Sequence, residues 1–342
     1  MKAWQIGKRQ GIDGLRQVER DHPVPGPGEI ALDVIAAALN HRDLMVLRGK
    51  YGSDLPDTRI PLSDGVGRIA ALGEGVSGLE EGHRVIAPNF TGWLDNGGYG
   101  FHVFGHDLGV TADGWLAERI VIPAAAAIKV PDSVSDDSAA SLAVVGATVW
   151  HAMVAFGQAG DGDLVLAQGT GGVSLFALQL AKALGATFAI TSSSDEKLER
   201  ARELGADHTV NYRDNPDWAE AMLRSTGGRG ADVVVDTLGF DSFGQTIAAT
   251  AVEGRIGTIG ALSGSPRDRP DFDQGSLIAK NIAVKGIASG HRGMLASALD
   301  LVAQHGIELV VDRTFAFDDA PAALEYLDRG AHMGKVLIDV AR

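Results

Sequence analysis

The 342-residue sequence contains no cysteine, and this absence removes several kinds of chemistry at once. Without thiols the chain cannot form disulfides, use a cysteine nucleophile or hold a metal ion through thiolates. Ten histidines remain, but their spacing predicts no metal site. His102 and His106 could share one face of a helix, yet the glycines around them predict a loop, and no third ligand is evident.

Basic residues are also in short supply. Thirty lysines and arginines stand against 44 aspartates and glutamates, which gives a net charge of −14. Such a surface argues against nucleic acids and anionic membranes as partners. We expect no N-terminal signal segment and no apolar run long enough to cross a bilayer, and therefore a cytoplasmic location.

The rest of the composition is that of an ordinary globular protein, with 45% hydrophobic and 22% charged residues. Its most informative stretch is DLVLAQGTGGVSLFALQLAKALGA, residues 163–186. This stretch predicts a buried strand, a glycine turn and an apolar helix. Gly169 permits the tight turn, Gly171 leaves room for a pyrophosphate, and the helix N-terminus faces the phosphates. Ser174 replaces the third glycine of the usual pattern but is still small. The order of strand, turn and helix predicts a dinucleotide site, with a purely structural turn as the alternative.

The end of the second predicted strand, 187–191, indicates which nicotinamide cofactor is bound. Enzymes for the unphosphorylated form usually carry an acid there, about 20 residues past the glycines, to hold the ribose 2′-hydroxyl. Ser192 stands in that place. It and the two serines after it can donate to a 2′-phosphate, and Lys197 adds positive charge. We expect Asp195 to cap a helix that begins at Glu196. NADPH is therefore predicted, and a solvated serine loop is the alternative.

The chain divides into regions of different pattern. Residues 1–124 are predicted to be rich in β-strands, because apolar and polar residues alternate in several stretches. From about residue 125 to residue 290, strands alternate with helices, as in a doubly wound parallel sheet. Two helices and a last strand follow, and we expect this tail to fold back onto the N-terminal region. The six strands predicted between 125 and 290 are 163–167, 187–191, 208–211, 232–235, 255–260 and 282–287.

A long segment rich in glycine, asparagine and aspartate interrupts the first region at residues 89–115. It carries Phe90, Trp93 and Tyr99. A loop of this length inside a domain is often functional, and surface decoration is the alternative.

Motifs along nearly the whole chain resemble those of the medium-chain dehydrogenase/reductase superfamily, and within it the zinc-free quinone oxidoreductase-like branch. The motifs are PGPGEI at 25–30, LNHRDLM at 39–45, IPLSDGVG at 60–67, GHRV at 82–85, ATVW at 147–150, GTGGVS at 169–174, LGAD at 204–207 and GKV at 334–336.

The resemblance implies an α/β fold in two parts. A Rossmann domain, with a doubly wound parallel sheet, would cover residues 125–290. A β-rich GroES-like catalytic domain would combine residues 1–124 with residues 291–342.

The resemblance also implies that no metal is bound. The zinc-dependent alcohol dehydrogenases of the superfamily hold catalytic zinc with Cys, His and Cys, and Asn40, Ser63 and Val144 take those places here. The four-cysteine structural lobe is missing too. Without these ligands zinc cannot polarise a carbonyl group.

Candidate catalytic residues lie in and beside the motif at 40–51. A substrate oxygen that gains negative charge needs hydrogen-bond donors, and Asn40, His41, Arg42 and Tyr51 can all donate. The alternatives are that Asn40 and Asp43 cap a helix from about Arg42 and that Tyr51 is a packed aromatic. By its place in the family, Thr148 would lie close to the nicotinamide and Asp64 would brace Asn40 or Arg42. The catalytic set is therefore Asn40, Arg42, Asp43, Tyr51 and Thr148.

The resemblance places the cofactor more fully, from the pyrophosphate to the nicotinamide end. The pyrophosphate would be surrounded by Gly169, Thr170, Gly171, Gly172 and Val173. The adenosine ribose and 2′-phosphate would contact Ser192, Ser193, Lys197, Tyr212 and Arg329, although Arg329 is equally well explained as an ordinary surface charge. The nicotinamide end would approach Gly260, Leu262 and the loop that begins at Ser289.

Three functions remain open on this basis. The first is an NADPH-dependent, zinc-independent reductase of a quinone or an α,β-unsaturated carbonyl compound, a small apolar substrate. The second is a zinc-free alcohol dehydrogenase or ketone reductase for a bulky apolar alcohol, in which Phe90 and Trp93 would line the pocket. The third is a non-catalytic NADPH-binding protein.

Self-association is expected from the resemblance, because members often pair through the last strand of the cofactor domain, here residues 281–286. Unpaired strand edges invite such pairing. We therefore expect a homodimer or homotetramer.

Overall fold

The structure is a computed structural model that describes residues 1–52, 55–94, 98–239, 242–260 and 274–341. These residues form two units, one combining Met1–Ala147 with Gly290–Arg342 and the other spanning Thr148–Ser289. We call them the first and the second unit and describe each by itself.

The first unit is built around a mixed sheet and its strands are short. Its helices and strands are, in chain order, β1 (Lys2–Gln5), β2 (Arg16–Glu19), β3 (Glu29–Ala38), α1 (His41–Leu47), β4 (Asp64–Leu72), β5 (Arg84–Ile86), β6 (Arg119–Pro123), β7 (Ile128–Lys129), α2 (Asp136–Val149, whose last two residues belong to the second unit), α8 (Arg292–His305), β14 (Val311–Ala316), α9 (Ala320–Asp328) and β15 (Lys335–Asp339).

The main sheet of this unit has the strand order β14-β15-β3-β4-β5-β7, and β6 also pairs with β3. The strands β1 and β2 form a separate antiparallel pair. The expected return of the C-terminal tail is confirmed, because β15 pairs antiparallel with β3. Strand β14 was not predicted. Its residues are mostly exposed, so they lack the apolar alternation by which a strand is recognised.

The boundary between the units differs from the predicted residue 124. Strand β7 pairs with β5, and the backbone N–H of Val144 in α2 donates to Asp64 at 2.7 Å. These contacts attach residues 125–147 to the first unit. The predicted boundary rested on the alternation of strands and helices, which starts only with β8 (Leu164–Gln168).

The second unit is a doubly wound parallel sheet, as predicted. Its strand order is β10-β9-β8-β11-β12-β13, and every neighbouring pair is parallel. All six predicted strands are present. The helices and strands are β8 (Leu164–Gln168), α3 (Gly172–Ala183), β9 (Thr187–Ser192), α4 (Asp195–Glu203), β10 (His208–Asn211), α5 (Trp218–Ser225), β11 (Ala231–Asp236), α6 (Phe243–Ala249), β12 (Thr250–Thr258), α7 (Gln274–Ala279) and β13 (Ala283–Gly286).

Strand β12 begins five residues before the predicted start of 255. Its first residue pairs with Ala231, and the register then shifts before Val233 pairs with Arg255. Glu253 has a positive φ of 60° within this irregularity. The extra residues break the alternation of side chains, which explains why the strand was placed too late.

Strand β13 lies at the edge of the sheet, and all four of its residues are exposed. The prediction that the chain pairs through this strand stays a prediction.

The segment 89–115 has a small aromatic core of its own. Phe90 and Trp93 are 1% and 4% exposed and pack with Val103 and Phe104. The rings of Phe90 and Phe104 meet edge to face at 5.2 Å. Because Phe90 and Trp93 are buried in this core, the structure gives them a packing role. Tyr99, in contrast, is 52% exposed.

The expectation that no apolar run is long enough to cross a bilayer is wrong, because one helical stretch has the necessary length and apolar composition. The helical stretch Asp136–Phe156 has 21 residues and a mean hydropathy of 1.7. It consists of α2 and the π-helical turn Trp150–Phe156. Of its apolar window, 72% is buried inside the protein. A buried core helix can be equally long and apolar.

Candidate functional site

The glycine turn of the second unit has the geometry of a phosphate cradle. Gly169 has a φ of +74°, which favours glycine, and its N–H donates to the Thr191 carbonyl at 2.8 Å. Gly171 is the N-cap of α3, and a Cβ built on it would meet nothing within 4 Å. The space above Gly171 is therefore open at the point where the positive end of α3 and its free N–H groups face outward.

Gln168, the last residue of β8, joins the strand to its neighbours, and the sequence analysis did not single it out. The Gln168 carbonyl accepts from Ser174 Oγ at 2.7 Å and from Thr237 Oγ1 at 2.8 Å. The side-chain oxygen of Gln168 accepts from the Thr237 N–H, and its amide donates to Thr246. Ser174 is therefore small enough for close helix–strand packing, and its hydroxyl also bonds the end of β8. A glutamine that ends a buried strand was the signal available in the sequence.

The carboxyl ends of β11 and β12 are joined by Asp236. Its carboxylate accepts from Thr258 Oγ1 at 2.9 Å and from the Gly239 N–H at 3.2 Å, and burial raises its pKa. Gly260 lies beside this pair, where a Cβ would come within 2.0 Å of the Thr237 carbonyl oxygen. Only glycine fits there. Leu262, predicted beside Gly260, lies outside the described residues.

The residues predicted around the adenosine ribose gather at the end of β9. Ser192 is its last residue and is 3% exposed, and its carbonyl accepts from the Tyr212 N–H at 3.0 Å. Ser193 and Lys197 are half-buried. No acidic residue takes the place at the strand end.

The predicted cap of α4 is corrected by the structure. Ser194 is the N-cap, and its hydroxyl accepts from the Lys197 N–H at 3.3 Å. Asp195 is the first residue of the helix, and its carboxylate accepts from Asn211 at 2.8 Å. Asn211 lies in the neighbouring strand β10, and the local sequence gives no sign of its contact with Asp195.

Thr148 and Ser289 lie together within the second unit. Their hydroxyls are 3.5 Å apart, and both residues are buried. The Ser289 carbonyl is also 2.6 Å from His151 Nδ1, and His151 Nε2 is 3.0 Å from Lys285 Nζ. The carbonyl can only accept and the ammonium can only donate, so the proton of a neutral His151 lies on Nδ1.

Arg329 belongs to the first unit, where it is exposed and pairs with Glu325 at 3.5 Å. The remaining predicted cofactor residues all belong to the second unit. They supply an open glycine turn, a helix N-terminus and serine hydroxyls, a set that fits a dinucleotide. The assignment of individual contacts, that of Arg329 included, stays a prediction.

In the first unit, Asn40 is the N-cap of α1 and its side chain has two charged partners. Its Nδ2 donates to Asp64 Oδ2 at 2.9 Å, and its Oδ1 accepts from Lys335 Nζ at 2.8 Å. Lys335 also donates to Asp64 Oδ2 at 2.9 Å. Asp64 and Lys335 are 0% and 3% exposed. The predicted role of Asp64 as a brace for Asn40 is confirmed, whereas Lys335 was recognised only as part of a motif.

Asp43 completes the start of α1. Its carboxylate accepts from the Asn40 N–H at 2.8 Å and from Ser63 Oγ at 3.0 Å. Burial raises the pKa of Asp43 to about 6, and nearby Asp64 adds to the rise, while Arg42 and the two hydrogen bonds oppose it. The cap expected of Asp43 is confirmed. Asn40 is confirmed as the N-cap of α1, and its side chain also contacts Asp64 and Lys335.

Arg42 and Tyr51 share a partner that the sequence analysis missed. Arg42 donates to Asp107 Oδ2 at 2.5 Å, and its guanidinium lies 4.8 Å from the Tyr51 ring centre. Asp107, 0% exposed, also accepts from Asn89 at 3.2 Å. Burial raises the pKa of Tyr51, whose hydroxyl faces the same carboxylate. Asp107 lies 65 residues from Arg42 in the chain, inside the segment 89–115, so local sequence gives no sign of the pair.

Two family models match the chain. The model described as Alcohol dehydrogenase GroES-like domain matches residues 26–132, and the one described as Zinc-binding dehydrogenase matches residues 172–304.

Two relatives are similar over nearly their whole lengths. A zinc-type alcohol dehydrogenase-like protein of Schizosaccharomyces pombe is 38% identical over 96% of each chain. An acryloyl-coenzyme A reductase of Metallosphaera sedula is 31% identical over 99% of each chain.

Solved structures agree with the fold. An NAD-dependent alcohol dehydrogenase is 32% identical over 100% of each chain, with a TM-score of 0.90. A mycobacterial quinone oxidoreductase is 27% identical over 99% of this chain and 100% of its own, with a TM-score of 0.80. A mycobacterial protein solved with NADPH is also 27% identical, with the same coverage and a TM-score of 0.82.

The chain therefore belongs to the medium-chain dehydrogenase/reductase superfamily, as its motifs predicted, and it is an oxidoreductase of that superfamily. The superfamily binds nicotinamide cofactors, and the open turn at Gly171 suits one.

Zinc, which one matching model names, does not fit the residues at the corresponding place. The Asn40 oxygen accepts from an ammonium, the Ser63 hydroxyl donates to Asp43, and Val144 offers only a backbone N–H, which donates to Asp64. A divalent cation here would also be repelled by Lys335. Among the described residues, no group of three or more metal-binding side chains is present.

The open turn yields a first test. We expect Gly171→Ala to fold normally, because its φ of −80° suits alanine and a Cβ meets nothing within 4 Å. Its Cβ would occupy the phosphate space, so the Kd for NADPH should rise about tenfold or more. Fluorescence titration and a thermal midpoint measure the two effects. Gly160→Ala, equally open but at the opposite end of β8, is the matched control. Unchanged affinity in Gly171→Ala would contradict the phosphate assignment.

The raised pKa of Asp43 makes stability depend on pH. A carboxyl whose pKa rises from 3.8 to about 6 on folding stabilises the folded state when it is protonated. That contribution is complete below about pH 4 and is lost as the pH rises through 6, at up to about 1.4 kcal/mol per pH unit. Wild type should therefore lose stability relative to Asp43→Asn between pH 4 and 7 in urea unfolding. Asp300→Asn, an exposed change on α8, should follow wild type throughout. Parallel curves for wild type and Asp43→Asn would refute this reading.

Proposed function

We propose that this oxidoreductase is NADPH-dependent and zinc-independent and transfers hydride to a quinone or an α,β-unsaturated carbonyl compound. The observation that carries the proposal is the set of partners around Asn40. The residues at the places of the family's metal ligands bond to Lys335, Asp43 and Asp64 at 2.7–3.0 Å, Asn40 and Ser63 through their side chains and Val144 through its backbone N–H. The substrate oxygen must then be stabilised by hydrogen bonds instead of a metal ion.

The second unit holds the cofactor. The backbone N–H groups at the start of α3 take the pyrophosphate, Ser192 and Ser193 take the 2′-phosphate, and Gly260 borders the nicotinamide end. When bound, the cofactor supplies the hydride. The residues of the chain orient the two reactants and exclude water.

In the first unit, one candidate donor is free to act and another is occupied. Asn40 uses one of its two amide N–H groups on Asp64, and the other has no partner among the described residues. Arg42 is held by Asp107, within an aromatic surround of Tyr51 and Phe90. We infer that Asn40 donates to the substrate oxygen and that Arg42 and Tyr51 shape the site.

A conjugated acceptor suits such a site because its developing charge is spread over several atoms, so that neutral donors suffice. The names of two similar proteins, an acryloyl-coenzyme A reductase and a quinone oxidoreductase, agree with this substrate class.

The alternative is a zinc-free alcohol dehydrogenase or ketone reductase. An NAD-dependent alcohol dehydrogenase with a TM-score of 0.90 favours it. This alternative predicted that Phe90 and Trp93 line the substrate pocket. That prediction loses support, because both side chains are buried in their own core.

The deciding experiment is NADPH oxidation against a naphthoquinone, an enone, an aromatic ketone and a bulky aldehyde, each with and without a chelator. We expect turnover of the quinone or the enone that the chelator does not change. Turnover of the ketone or aldehyde alone would favour the alternative. Binding of NADPH without any turnover would indicate a non-catalytic protein, and loss of activity with chelator would refute zinc independence.

The cofactor preference has its own test at the end of β9. Ser192→Asp places a carboxylate where it repels a 2′-phosphate and accepts from a ribose hydroxyl. The ratio of kcat/KM for NADPH to that for NADH should fall at least about tenfold. Ser192→Asn, similar in size but neutral, is the matched control and should change the ratio much less. An equal fall in both variants would point to size instead of charge. A wild-type preference for NADH would contradict the NADPH assignment.

A further inference from the structure

Lys335 is the most deeply buried lysine that the structure describes, with 3% of its surface exposed. Its ammonium donates to Asn40 Oδ1 at 2.8 Å and to Asp64 Oδ2 at 2.9 Å. Lysine is almost never buried to this degree unless it is paired. The positive charge of Lys335 is balanced by the negative charge of Asp64, so the buried pair carries no net charge.

The ammonium fixes the Asn40 carboxamide in one orientation. Lys335 can only donate and an ionised Asp64 can only accept. A flipped amide would turn its oxygen toward the carboxylate and its NH₂ toward the ammonium, and both contacts would be repulsive. The backbone of Asn40 is held as well, because its N–H donates to Asp43. Because both the backbone and the side chain of Asn40 are held, its second amide N–H points in a fixed direction.

Stability alone does not require such an arrangement. Removing two charges from water is costly, and a buried ion pair can often be replaced by apolar residues without loss of stability. Val336 and Leu337, the next two residues of the same strand, are apolar and buried. An apolar pair in place of both Lys335 and Asp64 would therefore suit the fold about as well as the ion pair does.

The location of the charge suggests what it is for. Asn40 stands where the zinc enzymes of the superfamily have one metal ligand. Val144, at another such place, donates through its N–H to Asp64 Oδ1. Asp64 follows Ser63, at the third place. The Lys335 ammonium is thus bonded directly to Asn40 and Asp64, and through Asp64 it is linked to Val144.

We propose that Lys335 is a positioning residue whose ammonium takes the place of the metal ion in this chain. It supplies the positive charge on which Asn40 and Asp64 converge, and it excludes a divalent cation from them. By holding and polarising the Asn40 oxygen, it strengthens the opposite N–H as a donor to the substrate. This inference rests on the proposed role of Asn40 in a metal-independent reductase.

The test uses three variants of the full chain. Lys335→Met removes the charge at similar length, and Lys335→Arg keeps it. Lys335→Met combined with Asp64→Asn removes both charges, so that no buried ion is left unpaired. This pair-neutral variant keeps the test valid if Lys335→Met alone does not fold.

The activity readout separates positioning from structure. In Lys335→Met and in the pair-neutral variant, kcat and kcat/KM should fall together by about 10–100-fold, as expected when a contact stronger in the transition state is lost. Lys335→Arg should keep more of kcat than either. Wild-type kcat in the folded pair-neutral variant would overturn the proposal.

The second readout does not depend on turnover. Co²⁺ should raise the thermal midpoint of Lys335→Met, because the carboxylate of Asp64 and the amide oxygen of Asn40 lose their cation and can accept another. Wild type, Lys335→Arg and the pair-neutral variant should show no such rise. A rise in wild type or in Lys335→Arg, or none in folded Lys335→Met, would overturn the proposal.

These outcomes are distinct from failure of the proposed function. The substrate panel on wild type decides whether the chain reduces quinones or enones and whether a chelator matters. The Co²⁺ response of the variants decides the role of the ammonium, whatever the substrate proves to be.

Discussion

The first unit depends on a buried carboxylate, that of Asp64. It accepts from the Val144 N–H, the Asn40 amide and the Lys335 ammonium, at 2.7, 2.9 and 2.9 Å. Its three partners come from α2, from the N-cap of α1 and from β15, so one anion joins segments that are far apart in the chain. A buried charge is tolerable only when it is paired and hydrogen-bonded. The positions of Val144, Asn40 and Lys335 are therefore fixed relative to one another by their shared bonds to Asp64.

The second unit meets a different constraint, which is to leave backbone donors open for an anion while the strand ends stay fixed. Gln168 and Asp236 hold those ends by hydrogen bonds to Ser174, Thr237 and Thr258. The phosphate turn itself carries no side chain at Gly171. The residues that hold the strand ends are thus different from the glycines of the turn. This division keeps side chains out of the space that a phosphate would occupy.

The sequence alone was sufficient where structure is local. The strand, turn and helix around Gly169 follow from residues within one stretch, and the six parallel strands follow from alternation with helices. It was insufficient where a partner is distant. Asp107 for Arg42, Asn211 for Asp195 and Lys335 for Asn40 are separated by 65, 16 and 295 residues. Nothing in the local pattern marks these pairs, and the irregular start of β12 hides its register in the same way.

The separation of Lys335 from Asn40 has a consequence for the order of folding. Residues 148–289 form a continuous unit, whereas the first unit is assembled from both ends of the chain. During synthesis, β3 can pair with β4 and β6, but its neighbour β15 emerges only after residues 148–289. Until then Asp64 lacks the cation that makes its burial tolerable. The first unit must therefore close late, through contacts of long sequence separation, which are slow to form. The second unit meets no such delay, so in a nascent chain its fold can be complete while the sheet of the first unit is still open.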